Sequence, residues 1–154
     1  MDLKQHIRHV ADFPKPGILF YDITTLLRQP DGFKATIESL STPYRDARVD
    51  VVVGIESRGF ILGAAVAHQL GAGFVPIRKP GKLPAKSVKE SYALEYGTDA
   101  LEIHEDAVTR GARVLIVDDV LATGGTAAAA AKLVRQIGGD LLGMAFLIEL
   151  SFLD

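Results

Sequence analysis

The chain reads as an α/β domain in which a central parallel sheet carries helices on both faces. Three observations predict this. Short apolar runs rich in Val and Ile, each suited to a strand buried on both faces, alternate with segments of helical periodicity. Several of those runs end in Gly, Ser and Thr and then pass into a helical pattern, the alternation that builds parallel sheets. The length, 154 residues, is that of a single domain, enough to bury about 70% of the surface its unfolded chain would expose.

Leu3, Ile7 and Val10 recur at helical spacing and predict a short amphipathic helix over residues 1–11. Pro14, Pro16 and Gly17 then impose an extended turn. Residues 18–27 alternate too poorly for a half-exposed strand and are too broken for a helix, so an irregular apolar cover is expected there. Asp31 opens a helix carried by Phe33, Ile37 and Leu40 and closed by Pro43. Residues 49–55 form the first core strand, 61–70 a helix and 73–77 the next strand. The run 78–89 holds no acidic residue, and Pro80, Gly81 and Pro84 argue against regular structure, so a mobile basic loop begins there. Residues 92–96 and 100–104 are expected to pair around Gly97-Thr98-Asp99. Val114 to Val117 make the central strand, a helix follows as far as Ile137, Gly138-Gly139 ends it, and residues 141–150 supply a last strand. The five alanines from Ala127 predict a close helix-to-sheet contact.

Hydrophobic residues make up 48% and charged residues 23%, with a net charge of −2 and a pI near 6.1. That balance describes a soluble globular chain and gives no reason to expect nucleic acid or an anionic membrane as partner. There is no cysteine, hence no disulfide framework and no thiolate metal site, as a reducing compartment would favour. The first residues lack the charged start and apolar run of a signal peptide, and a cytoplasmic location is expected.

The densest chemistry lies in Val114-Leu115-Ile116-Val117-Asp118-Asp119-Val120-Leu121-Ala122-Thr123-Gly124-Gly125-Thr126. A buried strand ends in two carboxylates, then a Gly/Thr turn opens a helix. Unpaired N–H groups of such a turn converge on an anion, and Gly124 and Gly125 let the backbone approach it closely. Thr123 and Thr126 add hydroxyl donors. Asp118 and Asp119 can accept hydrogen bonds from vicinal sugar hydroxyls and place negative charge beside an anomeric carbon. A ribose 5-phosphate is implied, with Ala122 to Thr126 on the phosphate. A pyrophosphate would need cations and free N–H groups, which Ser57, Arg58 and Gly59 provide, with Arg78, Lys79 and Lys82 adding charge. Lys82 reads equally well as a solvated loop residue, which is the expectation for Lys86 and Lys89. Phe20, between Leu19 and Tyr21, is either a core residue or a stacking platform for a flat heterocycle. His6, His9, His68 and His104 share no metal-ligand spacing and are read as structural or surface residues.

The thirteen-residue stretch resembles the phosphoribosyl pyrophosphate (PRPP) motif of type I phosphoribosyltransferases. Asp12-Phe13-Pro14-x-Pro16-Gly17-x-x-Phe20-x-Asp22-Ile23-Thr24, Ser57-Arg58-Gly59-Phe60, Arg78-Lys79-x-Gly81-Lys82-Leu83-Pro84 and Ser91-Tyr92-x-Leu94-Glu95-Tyr96-Gly97 accompany it in the order found in adenine phosphoribosyltransferases. The similarity spans nearly the whole chain. It implies one phosphoribosyltransferase domain over residues 1–154, with residues 1–30 a small hood over the base site, 80–97 a flexible catalytic loop and 114–126 the PRPP motif. It implies transfer from PRPP to adenine, giving AMP and pyrophosphate in purine salvage, with Mg²⁺ bound mainly through PRPP, by a homodimer. It assigns Phe20 to base stacking, Leu19 and Tyr21 to main-chain contacts, and Glu95 and Tyr96 to the loop that closes over the site. Glu95 is then the proton partner of the purine.

In two places the chain departs from the family pattern. Tyr21 stands where many members carry Arg, and the sequence stops at Asp154, short of where members usually end, so a final element that supports sheet, dimer or base pocket is expected to be missing. Two other readings remain open from the residues alone: a phosphoribosyltransferase for another purine, and a PRPP-sensing regulator without catalysis.

Overall fold

The computed structural model describes residues 3–93, 97–121 and 124–149. Four parallel strands form the central sheet in the order β4-β3-β7-β8. They are β3 (Val51–Ile55), β4 (Gly73–Ile77), β7 (Arg113–Leu121) and β8 (Asp140–Glu149). Successive residues of β3 and β7 face opposite sides, so Val52, Leu115 and Val117 enter one core while Val53, Val114 and Ile116 enter the other. The first core is closed by α2 (Pro30–Ser41) and α3 (Arg58–Leu70), the second by α4 (Gly125–Gln136) and a hairpin of β5 (Ser87–Ala93) and β6 (Thr98–His104). Apolar runs buried on both faces are what a covered parallel sheet demands.

Local signals start and stop these elements. Pro30 sits in the first turn of α2 with Asp31 beside it, where a missing N–H does no harm and a negative charge meets the helix dipole. Gly71 ends α3 in the left-handed region, at φ 69°, a conformation that favours glycine. Ala127, Ala129, Ala130 and Ala131 are buried in α4 against the sheet, so the alanine run is the close contact expected of it.

Two N-terminal expectations are corrected. Residues 1–11 were expected to be helical, but the described part is a 3-10 turn (Leu3–His6) followed by β1 (Arg8–Ala11). None of Leu3–His6 is buried, so the helical spacing enters no core, and pairing with the next strand prevails over it. The segment expected to be irregular contains β2 (Leu19–Asp22) and the short helix α1 (Thr24–Leu27). β1 and β2 pair antiparallel, with Val10 opposite Phe20 and His9 opposite Tyr21.

The β5–β6 hairpin hangs on the sheet through a reciprocal pair of main-chain bonds between Arg78 and Glu102, at 3.0 and 2.7 Å. It begins at Ser87, not Tyr92, and shortens the irregular basic stretch accordingly. The loop before it is tied at Gly81, whose N–H donates to Glu102 Oε1 at 2.8 Å.

Candidate active site

The carboxyl ends of β3, β4 and β7 bring the loops that follow them to one crevice. The guanidinium of Arg58, in the first turn of α3, pairs with Asp119 of β7. Arg78, just past β4, donates from Nε to Glu56 Oε1 at 3.1 Å, and Lys82 Nζ donates to Glu56 Oε2 at 2.8 Å. The start of α3 can come this near to β7 only because residue 59 is glycine. A Cβ there would lie 3.0 Å from Asp118 Oδ1 and 3.1 Å from the Val117 carbonyl oxygen.

Asp118 and Asp119 sit where β7 emerges from the core. Asp119 is buried, and its N–H donates to Asp118 Oδ1 at 2.9 Å. Burial first, then the neighbouring charge of Asp119, push the Asp118 carboxyl up to about 8. The two acids therefore differ in role at neutral pH. Asp118 is the acid whose charge its surroundings oppose, while Asp119 is paired with Arg58.

Beyond them Gly124 adopts φ 88° as N-cap of α4, Gly125 is the first helical residue and Thr126 the second. The first turn of this helix carries no acid, so no carboxylate of its own opposes an anion at its N–H groups. A cavity of about 90 Å³ at this end is lined by Asp118, Val120, Leu121, Gly124, Thr126 and Phe146, among others. Ala122 and Thr123 lie outside the described residues, as do Glu95 and Tyr96.

On the other side of Arg58 lies the N-terminal hairpin. The guanidinium carbon is 4.9 Å from the Phe20 ring centroid, a cation–π distance. Phe13 meets Phe20 edge to face at 5.2 Å. Val10, Phe13, Phe20, Asp22, Thr24 and Arg58 enclose a cavity of about 400 Å³, walled largely by apolar groups as a flat heterocycle requires. Tyr21 points the other way and meets His9 edge to face at 5.1 Å, which leaves its main chain beside Phe20. Leu19 is half exposed at the edge of the hairpin.

Lys79 divides its groups. Its N–H donates to Glu56 Oε1 at 2.9 Å, while its ammonium pairs with Asp99 of the β5–β6 hairpin near Tyr92. Burial disfavours that ammonium, but hydrogen bonds to Asp99 and Tyr92 prevail and raise its pKa.

Sequence reasoning passed over Glu56, Asp22 and Phe13 as site residues. Glu56 carried a usable signal, being an acid at the carboxyl end of a core strand that faces a cationic loop. Asp22 and Phe13 stood within the Asp12-to-Thr24 motif, but no role was attached to them, because Arg8 and Arg58, which they meet, are remote in sequence. Asp22 accepts from Thr24 N–H at 2.9 Å, from Thr24 Oγ1 at 2.6 Å and from Arg8 at 2.6 Å.

Paired acids near the carboxyl end of β7, a glycine-opened helix and a cationic crevice suit a phosphorylated sugar. Residues 22–150 match the phosphoribosyl transferase domain family. A curated adenine phosphoribosyltransferase of Solibacter usitatus is 64% identical over 152 residues, 99% of this chain and 88% of that protein. The crystal structure of adenine phosphoribosyltransferase from Rhodothermus marinus superposes with a TM-score of 0.95 at 58% identity, covering 98% of this chain and 86% of that one. The Saccharomyces cerevisiae enzyme, solved with an imino-altritol bisphosphate and adenine, gives 0.92 at 44% identity over 99% and 89% of the two chains. The chain belongs to the phosphoribosyltransferase family and, within it, to the adenine phosphoribosyltransferases.

Proposed function

We propose that the chain transfers the 5-phosphoribosyl group of PRPP to adenine, releasing pyrophosphate and forming AMP in purine salvage. The observation that carries this reading is the position of Arg58, which touches the acid pair through Asp119 and the aromatic platform through Phe20. Sugar, leaving group and base are thereby given adjoining places around one guanidinium. The Saccharomyces cerevisiae relative was solved with adenine and a bisphosphate, which supports the same pairing of ligands.

In this reading the N-terminus of α4, with Ala122, Thr123, Gly124, Gly125 and Thr126, holds the 5-phosphate. Asp118 donates to a ribose hydroxyl and Asp119 accepts from another. As the bond from the anomeric carbon to pyrophosphate breaks and the bond to purine N9 forms, positive charge builds on the ribose. A carboxylate about 4 Å away stabilises that charge by up to ~4 kcal/mol at an effective dielectric of ~20, or roughly a thousandfold in rate when the gain is confined to the transition state. Ser57, Arg58, Gly59, Arg78, Lys79 and Lys82 receive the pyrophosphate. Adenine lies against Phe20, with the main chains of Leu19 and Tyr21 at its edge, and its N9 proton passes to Glu95 while Tyr96 helps close the site.

This reading includes Mg²⁺ bound mainly through the oxygens of PRPP. So held, the ion would supply charge neutralisation to the leaving pyrophosphate beside Arg58, Arg78 and Lys82. The same reading makes the chain one catalytic domain, with residues 1–30 as hood and 80–97 as closing loop, acting as a cytoplasmic homodimer. No helix among the described residues is long and apolar enough to cross a membrane.

Incubation with PRPP, Mg²⁺ and each of adenine, hypoxanthine, guanine and xanthine tests the proposal. Nucleotide and pyrophosphate are expected with adenine alone. A product from an oxopurine would overturn the base assignment, and PRPP binding without turnover of any base would overturn the enzymatic one.

A further inference from the structure

Glu56 has no part in the chemistry above, and a carboxylate within a pyrophosphate site is repulsive unless it does something else. Its two oxygens are used differently. Oε1 accepts from Arg78 Nε and from the Lys79 main-chain N–H, two groups just past β4, where the main chain of Arg78 is tied to Glu102. Oε2 accepts from Lys82 Nζ. The Glu56 side chain is 12% exposed and that of Lys82 48%, so the acid is fixed and the base is free to swing. The main chain next to Lys82 is held through Gly81 and Glu102. Motion of Lys82 therefore needs only its own methylene stem.

We infer that Glu56 is a positioning residue that competes with pyrophosphate for Lys82: Oε2 holds the ammonium when pyrophosphate is away, yields it to the arriving pyrophosphate and takes it back on release. Oε1 keeps Arg78 and the Lys79 N–H in place throughout. The inference rests on the phosphoribosyltransferase reading and adds to it a residue that keeps pyrophosphate from binding too tightly. An uncompensated Lys82 would hold the product longer, and a fully neutralised one would not help to bind it.

Glu56→Gln tests this, since it removes the charge but keeps an acceptor for Arg78 and Lys79. Calorimetric titration with magnesium pyrophosphate is expected to show about fivefold tighter binding, the size of one partly exposed ion pair. In steady state kcat and the KM for PRPP are expected to fall together, because release is slowed. Glu56→Asp keeps the charge one methylene further back, should give an intermediate Kd, and serves if the Gln variant does not fold. In a Lys82→Met background the Glu56→Gln gain should vanish. Unchanged or weaker pyrophosphate binding in both Glu56 variants, or a gain that survives Lys82→Met, would overturn the inference. Pyrophosphate binding is read apart from nucleotide formation, so a wild-type chain that makes no AMP counts against the proposed activity and not against Glu56.

Discussion

The ends of β2 and β7 carry the same side chain in opposite electrical states. Asp22 closes β2, and hydrogen bonds from Thr24, with Arg8 beside it, draw its carboxyl down to about 2. Asp118 lies near the end of β7, and burial together with Asp119 pushes it up to about 8. One acid is saturated with donors and holds structure together; the other is short of donors and has a second acid next to it. Ionisable groups whose environment works against their charge gather at functional sites because folding alone gives no reason to put them there. By that criterion the end of β7 is the candidate reactive end, while Asp22 at the end of β2 holds part of the aromatic cavity's wall in shape.

Mutation should separate the two most sharply through turnover. Asp118→Asn with Asp119→Asn is expected to lower kcat for AMP formation by roughly a thousandfold while circular dichroism stays native. Full activity in that double variant would erase the contrast.

A smaller effect is expected at the structural end. Asp22→Ala removes the acceptor for the Thr24 N–H and hydroxyl and for Arg8, and should reduce stability by about 1 kcal/mol in urea unfolding, the usual net loss of such hydrogen bonds. Because the folded carboxyl titrates below its ordinary value, the stability it contributes is present above about pH 4 and is lost as pH falls through about 2. The variant should therefore show a flatter acid limb.

The smallest expected effect has the opposite sign. Folded Asp118 keeps its proton up to about pH 8, whereas an unfolded chain releases it near pH 4. This group's contribution is thus full below about pH 4 and is lost as pH rises through about 8. Asp118→Asn is freed from that loss, so its Tm relative to wild type should rise from pH 4 to pH 8. A parallel offset at both pH values would mean that Asp118 is not held protonated by the fold.

How far the sequence could be read follows the same division. The β7 loop was legible because its parts are contiguous: strand, acids, glycines and helix are specified by neighbours, and Gly124 at φ 88° needs only its own lack of a Cβ. The N-terminal hairpin was not. Leu3, Ile7 and Val10 carry a helical period, yet Val10 pairs with Phe20 across the turn, and no short window contains both partners. Glu56 was visible as a residue but not as a hub, since its cations arrive from residues 78–82.

The amino-acid sequence by itself determined the parallel α/β class, the glycine-opened phosphate loop with its acid pair, and the membership of the cationic set, since propensity, spacing and residue chemistry act over a few neighbours. Tertiary structure alone decided which charge meets which. It set Arg58 between Asp119 and Phe20, gave Lys82 to Glu56 and the ammonium of Lys79 to Asp99, and assigned one aspartate a proton and denied it to another. Ion pairing and desolvation depend on groups that meet only when the sheet brings distant loops within a few ångströms, and that proximity is a property of the fold.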